Sequence, residues 1–197
     1  NLMGVESETT PRMGMGHSAE FGCALGLFFN RSDQDIVEHS TNHMVDQFHG
    51  EWHDETDKVG SIAINLQNAI KEHFPDFGVP NLFQSYRRHS LSNLEHPITT
   101  VTDFEWEHMI VDTKATLAVP SKPRDDHVRQ QSLYSVLIGK PATLVYASHK
   151  KSAVFELDEE TVMRNYETMI NSFESLELFM KTVPNIKTFK KTESIEK

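Results

Sequence analysis

Apolar positions in the N-terminal third recur at helical spacing. Phe21, Ala24, Leu25 and Phe28 fall three or four residues apart, as one face of a helix requires. Asn30 to Ser32 interrupt that pattern, and Ser32 or Asp33 is placed to cap a second helix running to about His49. A third helix is expected from Asp57 to about His73, with Ile62, Leu66, Ala69 and Ile70 inward and Pro75, Gly78 and Pro80 closing it. The period then changes. Leu82 to His89, Ile98 to Phe104 and His108 to Ala115 are rich in Val, Ile, Thr and aromatics, as strands are. Pro120 and Pro123 mark a loop, after which Asp125 or Asp126 can cap a helix through Ile138 that Gly139 closes. Thr143 to Ser148 and Ala153 to Leu157 read as two more strands. Asp158 can cap a last helix to about Lys181, with Val162, Tyr166, Met169, Phe173 and Leu176 on one face, and Pro184 beyond it. This order predicts an α/β domain with a central mixed sheet flanked by helices and a helical N-terminal part.

The 197 residues suffice for one domain with a real core, divided as a helical part over about 13–80, a core over about 81–181 and a basic tail over 182–197. Hydrophobic residues at 38% and charged residues at 24% are ordinary for a soluble globular protein. No stretch approaches the roughly 18 apolar residues of a membrane span, and Asn1 to Arg12 lack the pattern of a signal peptide. The lone Cys23 cannot form an internal disulfide or supply an iron–sulfur cluster, and a reducing, cytoplasmic setting is expected. It falls among Phe21, Leu25 and Phe28 and reads as a buried apolar residue.

The net charge of −10 argues against a protein that coats nucleic acid, but the distribution is uneven. Residues 32–76 hold ten acids and two bases, whereas residues 111–151 hold seven Lys or Arg and three acids. The basic groups therefore gather where the candidate chemistry lies, an arrangement compatible with DNA binding.

That chemistry starts with Asp103, followed nine residues later by Asp112-Thr113-Lys114. Asp112 and Lys114 are two apart on an expected strand and so share a face. Paired carboxylates suit a hard divalent cation such as Mg²⁺ or Mn²⁺. A neighbouring ammonium can orient a water or steady charge developing on a phosphate. An isolated D-x-K is more often a solvated strand pair than a site. Here it follows an apolar run, with Asp103 on the other arm of an expected hairpin. Gln130 and Tyr134 sit four apart on the next helix, and Gly16 and Glu20 open the first.

In this order the motifs resemble the RecB-like and phage-type exonuclease branch of the PD-(D/E)XK nuclease superfamily. That branch carries G-x-x-x-H or G-x-x-x-E on an early helix, then an Asp, a (D/E)-x-K strand and Q-x-x-x-Y on the next helix. The agreement spans about 120 residues, through Gly16 with Glu20, Asp103, Asp112 with Lys114, and Gln130 with Tyr134. The resemblance implies a restriction-endonuclease-like core and hydrolysis of DNA in replication, recombination or repair. Glu20, Asp103, Asp112 and the Thr113 carbonyl would hold Mg²⁺ or Mn²⁺, and Lys114 would assist the attacking water. Gln130 and Tyr134 would support the site or touch the DNA backbone. Two departures stand out: Thr100 occupies the place of a usual glycine, and Glu20 replaces a commoner His. The expected partner is single-stranded DNA or DNA ends, with homo-oligomer assembly or a separate helicase or recombination partner left open. The compact length and absence of motor motifs favour a phage-type enzyme by analogy.

A catalytically silent member of the fold, binding DNA or a protein partner, is the alternative. Lys122, Arg124 and Arg129 follow the D-x-K strand and can grip phosphates or simply decorate a loop. His39 with His43, and His49 with His53, have zinc-compatible spacing but sit in a polar stretch and read as a solvated face. No Walker loop, G-x-S-x-G or G-x-G-x-x-G motif occurs.

Overall fold

A computed structural model describes residues 9–182. The basic tail from residue 183 onward lies outside the described residues. The elements run α1 (Pro11–Phe29), α2 (Asp33–Gln47), α3 (Thr56–His73), β1 (Leu82–His89), β2 (Ile98–Glu105), β3 (Ile110–Ala115), α4 (Asp125–Ile138), β4 (Ala142–Ala147), β5 (Ser152–Glu156) and α5 (Glu159–Thr182).

Local chemistry accounts for most boundaries. The Thr10 hydroxyl accepts from Met13 N and Pro11 opens the first turn, so α1 begins well before the apolar pattern that announced it. Ser32 and Asp35 form a reciprocal capping box at the start of α2. Asp158 accepts from the backbone and hydroxyl of Thr161 at the start of α5. The expected Asp cap of α4 does not form. Arg124 is the capping residue and makes no side-chain cap, while Asp125 and Asp126 lie in the first turn, where carboxylates favour the positive end of the helix. Gly139 ends α4 at φ 77°, a left-handed conformation that glycine adopts without steric cost.

The five strands form one mixed sheet in the order β1-β2-β3-β4-β5. Only β3 and β4 are parallel, joined by the α4 crossover. Helices cover both faces. On one, α1, α2 and α3 bury Met15, Cys23, Ile36, Met44, Ile62 and Leu66 against Phe104, Val111 and Val145. On the other, α4 and α5 pack Leu133, Tyr134 and Ile170 on Ile110 and Ala142. The three N-terminal helices approach closely because α1 presents glycine. A Cβ on Gly22 would stand 2.8 Å from the Cβ atoms of Ala63 and Ser40, and one on Gly26 only 2.4 Å from the Gln67 side chain. His43, expected in solvent, instead bonds Ser18 and Gln47 and stacks on Phe21 between α1 and α2. Among the described residues no helix is long and apolar enough to cross a membrane.

The antiparallel β2–β3 pairing is short. It holds at Glu105 with Ile110 and Phe104 with Val111, and no further pair follows. Beyond Phe104 the two strands part, and the side chain of Asp103 enters the opening.

Candidate active site

The opening between β2 and β3 leads to a cleft of about 570 Å³. Met13, Gly16, His17 and Glu20 line it from α1, Asp103 from β2, and Thr113, Lys114 and Ala115 from β3. Thr116, Ala118, Pro120 and Arg124 from the following loop, His127 from α4 and Tyr146 from β4 complete it. It lies at the carboxyl end of the parallel strands β3 and β4, where open α/β sheets place their ligand crevices. Gly16 leaves its mouth open, since a Cβ there would meet nothing within 4 Å.

Asp103 takes over the ladder that the parting strands give up. Its Oδ2 accepts from Thr113 N at 2.6 Å and from the Thr113 hydroxyl at 3.0 Å. Asp112 is buried on β3, and the Lys114 ammonium reaches its Oδ2 at 2.5 Å, as the two-residue strand repeat permits. Across the cleft, Glu20 accepts from Gln84 Nε2 at 3.2 Å. Behind Lys114, the parallel register sets Tyr146 beside it. The Tyr146 hydroxyl lies 2.7 Å from His127 Nδ1 and accepts from Arg124 N at 3.2 Å, tying the loop before α4 to β4.

The electrostatics follow from three carboxylates sharing one ammonium. Burial, then the charge of Asp103, pushes Glu20 up to about 8. The same two causes raise Asp112 to about 7. Burial also raises Asp103, against the pull of Lys114 and the two bonds from Thr113. Burial opposes the Lys114 charge, but Asp112 and Asp103 outweigh it and its pKa is raised. Lys114 is therefore an ammonium at neutral pH and cannot act as a free amine base. His127 is lowered to about 4, by burial and then by Lys114, so it stands as neutral imidazole.

The donor chemistry suits a hard cation. Carboxylates whose proton affinity burial and a neighbouring carboxylate raise are oxygen ligands a divalent ion would deprotonate, and no thiolate competes at the cleft. As the side chains stand, no three His, Cys, Asp or Glu among the described residues form a ready cage. Asp112 is engaged by Lys114 and Asp103 by Thr113. Ligation would exchange the first of these contacts for the ion.

Of the residues singled out from the sequence, Glu20, Asp103, Thr113 and Lys114 line one cleft, and Asp112 joins them through Lys114. Arg124 is shared with a neighbouring shallow depression that Lys122 and Arg129 line, and it is held in a two-pronged pair with Asp126. Gln130 and Tyr134 lie outside the cleft. They share a helix face and bond each other at 3.3 Å, and Tyr134 is packed in the core beside Leu133 and Ile170. The α4 residue that reaches the cleft is His127, one turn nearer the helix start. His17, His127, Tyr146 and Gln84 were missed. Only His17 carried a readable signal, lying three residues before Glu20 on one helix face.

No family model matches the chain, and no curated protein does. Among solved structures, that of SSO0001 aligns over 86% of this chain and 78% of its own, at 17% identity and a TM-score of 0.37. A superposition that loose carries nothing about activity.

Proposed function

We propose that this chain is a single-domain, metal-dependent DNA nuclease with a PD-(D/E)XK core, of the RecB-like and phage-type exonuclease branch. It would hydrolyse phosphodiester bonds in replication, recombination or repair. The observation that carries the reading is the meeting of Glu20 from α1, Asp103 from β2 and the Asp112–Lys114 pair from β3 at one open cleft. An α/β sheet with helices on both faces and a parting of the two strands that bear the acids supports it.

Glu20, Asp103 and Asp112, with an oxygen of Thr113, would hold Mg²⁺ or Mn²⁺, which when bound polarises a phosphate and lowers the pKa of a water. The protein's own part is positioning and charge. Thr113 fixes Asp103 through two bonds, and Gln84 holds Glu20. Lys114, kept charged by its carboxylate neighbours, orients the attacking water and donates to the phosphate oxygen on which charge develops. Arg124, Lys122 and Arg129 offer cations to flanking phosphates on the rim.

The test is incubation with end-labelled single- and double-stranded DNA, linear and circular, in Mg²⁺, Mn²⁺ or EDTA. Metal-dependent release of product with circles spared is the expected result. No cleavage under either metal would overturn the enzyme and leave a DNA- or partner-binding relative of the fold.

A further inference from the structure

The β1–β2 hairpin leaves a row of side chains exposed between the points where α1 and α5 meet it. Along β2, Thr100 and Thr102 are buried while Thr99 and Val101 are exposed, and Asp103 comes next on the exposed side of the alternation. On β1, Leu82, Gln84, Tyr86 and Arg88 are exposed. The register places Tyr86 opposite Val101 and Arg88 opposite Thr99. Tyr86 is 66% exposed and Val101 41%. Arg88 has no carboxylate partner among the described residues, whereas Arg87, on the other side of the strand, is paired with Glu105. Gln84 joins this row to the cleft by donating to Glu20.

We propose that this face is a platform for a single-stranded DNA segment leading into the cleft. The proposal rests on the nuclease reading and assigns residues outside the cleft to its substrate. A solvent-exposed tyrosine offers a ring on which any base can stack, and an arginine two residues along offers a cation to the adjoining phosphate. A duplex keeps its bases inside and cannot use such a ring. The spacing fits: two strand residues advance about 7 Å, so Tyr86 stands one step from Gln84 and Arg88 two. Charge fits as well. The cleft is acidic and the chain carries −10, so a polyanion crossing it needs basic shoulders. Arg88 supplies one such cation, and Lys122 and Arg129 line the depression that adjoins the cleft at Arg124. The hairpin is also held in place for the task. Glu177 of α5 accepts from Glu95 N and His96 N at 3.0 and 2.8 Å, and Asn93 donates to Glu174 at 2.6 Å.

The test is fluorescence anisotropy in EDTA at low salt, with a labelled oligothymidine and a labelled duplex of equal length. The full chain is compared with Tyr86→Ala, Tyr86→Phe and Arg88→Ala, all at exposed positions. The expected result is preference for the single strand, weakened about tenfold or more by Tyr86→Ala and preserved by Tyr86→Phe. Arg88→Ala should weaken binding and lower the slope of log affinity against log salt by about one. No single-strand binding by the wild type, unchanged affinity in both alanine variants, or equal losses on the duplex would overturn the proposal. A change of oligomeric state in Tyr86→Ala with DNA affinity intact would overturn it too, in favour of a contact between copies. Because the assay needs no cleavage, the two readings fail separately. A protein that cleaves but ignores Tyr86 loses only the platform, and one that binds through Tyr86 but never cleaves loses only the enzyme.

Discussion

Replacing Glu20 by glutamine keeps the oxygen that accepts from Gln84 and removes a carboxyl that burial and Asp103 hold at about 8, against an ordinary 4.5. In the unfolded chain that carboxyl is ionised by pH 5.5, while the folded protein retains its proton until the pH nears 8. A folded-state pKa raised in this way gives stability at low pH that drains away as pH rises through the folded value. Glutamine has no such dependence. Between pH 5.5 and 9 the full linkage would be about 3–4 kcal/mol at about 1.4 kcal/mol per tenfold in proton affinity. Water enters the open cleft and screens the charge, so we expect about 2 kcal/mol. For a chain of this size that is roughly 4–8 °C in Tm. Thermal melts of wild type and Glu20→Gln in EDTA at the two pH values measure it. The variant's advantage should grow by that amount toward pH 9, and saturating Mn²⁺ should shrink it by stabilising the wild type alone. A difference that stays flat with pH, or a variant that melts lower at pH 9, would refute the reasoning.

Two other groups give further tests. Glu105 is buried between Arg87 and Lys140, so Glu105→Ala should cost about 3–5 kcal/mol in denaturant unfolding by stranding two cations. Tyr146→Phe deletes the hydroxyl that joins Arg124 N to His127, and should cost about 1–2 kcal/mol while speeding hydrogen exchange at the Arg124 amide.

The parts of this site that could be read in advance are those set by local pattern. The D-x-K strand shows its shared face through the two-residue repeat, and the Asp103 arm through the change of period after residue 80. Gly139 and Asp158 mark their helix ends by their own chemistry. What escaped depends on tertiary placement. The parallel register of β3 and β4 brings Tyr146 beside Lys114, yet Tyr146 reads only as one apolar residue in a short run. Gln84 reaches Glu20 across 64 residues, from a strand position at φ 48° that no motif announces. The Gln130–Tyr134 spacing identified a helix face correctly, but the direction of that face is set by how α4 lies on the sheet. It lies with Tyr134 in the core and His127 at the cleft. The start of α1 was hidden because Gly14 and Gly16 are poor helix formers, which the Thr10 cap and tertiary packing override.

The most direct test of the proposed chemistry separates holding the ion from using it. Mn²⁺ binding by calorimetry and cleavage of end-labelled single-stranded DNA should be measured on wild type, Asp112→Ala and Lys114→Ala. The account predicts that Asp112→Ala loses both, and that Lys114→Ala still binds Mn²⁺ but cleaves at least about 100-fold more slowly. Wild-type cleavage that survives in either variant, or Mn²⁺ binding unaffected by Asp112→Ala, would contradict it.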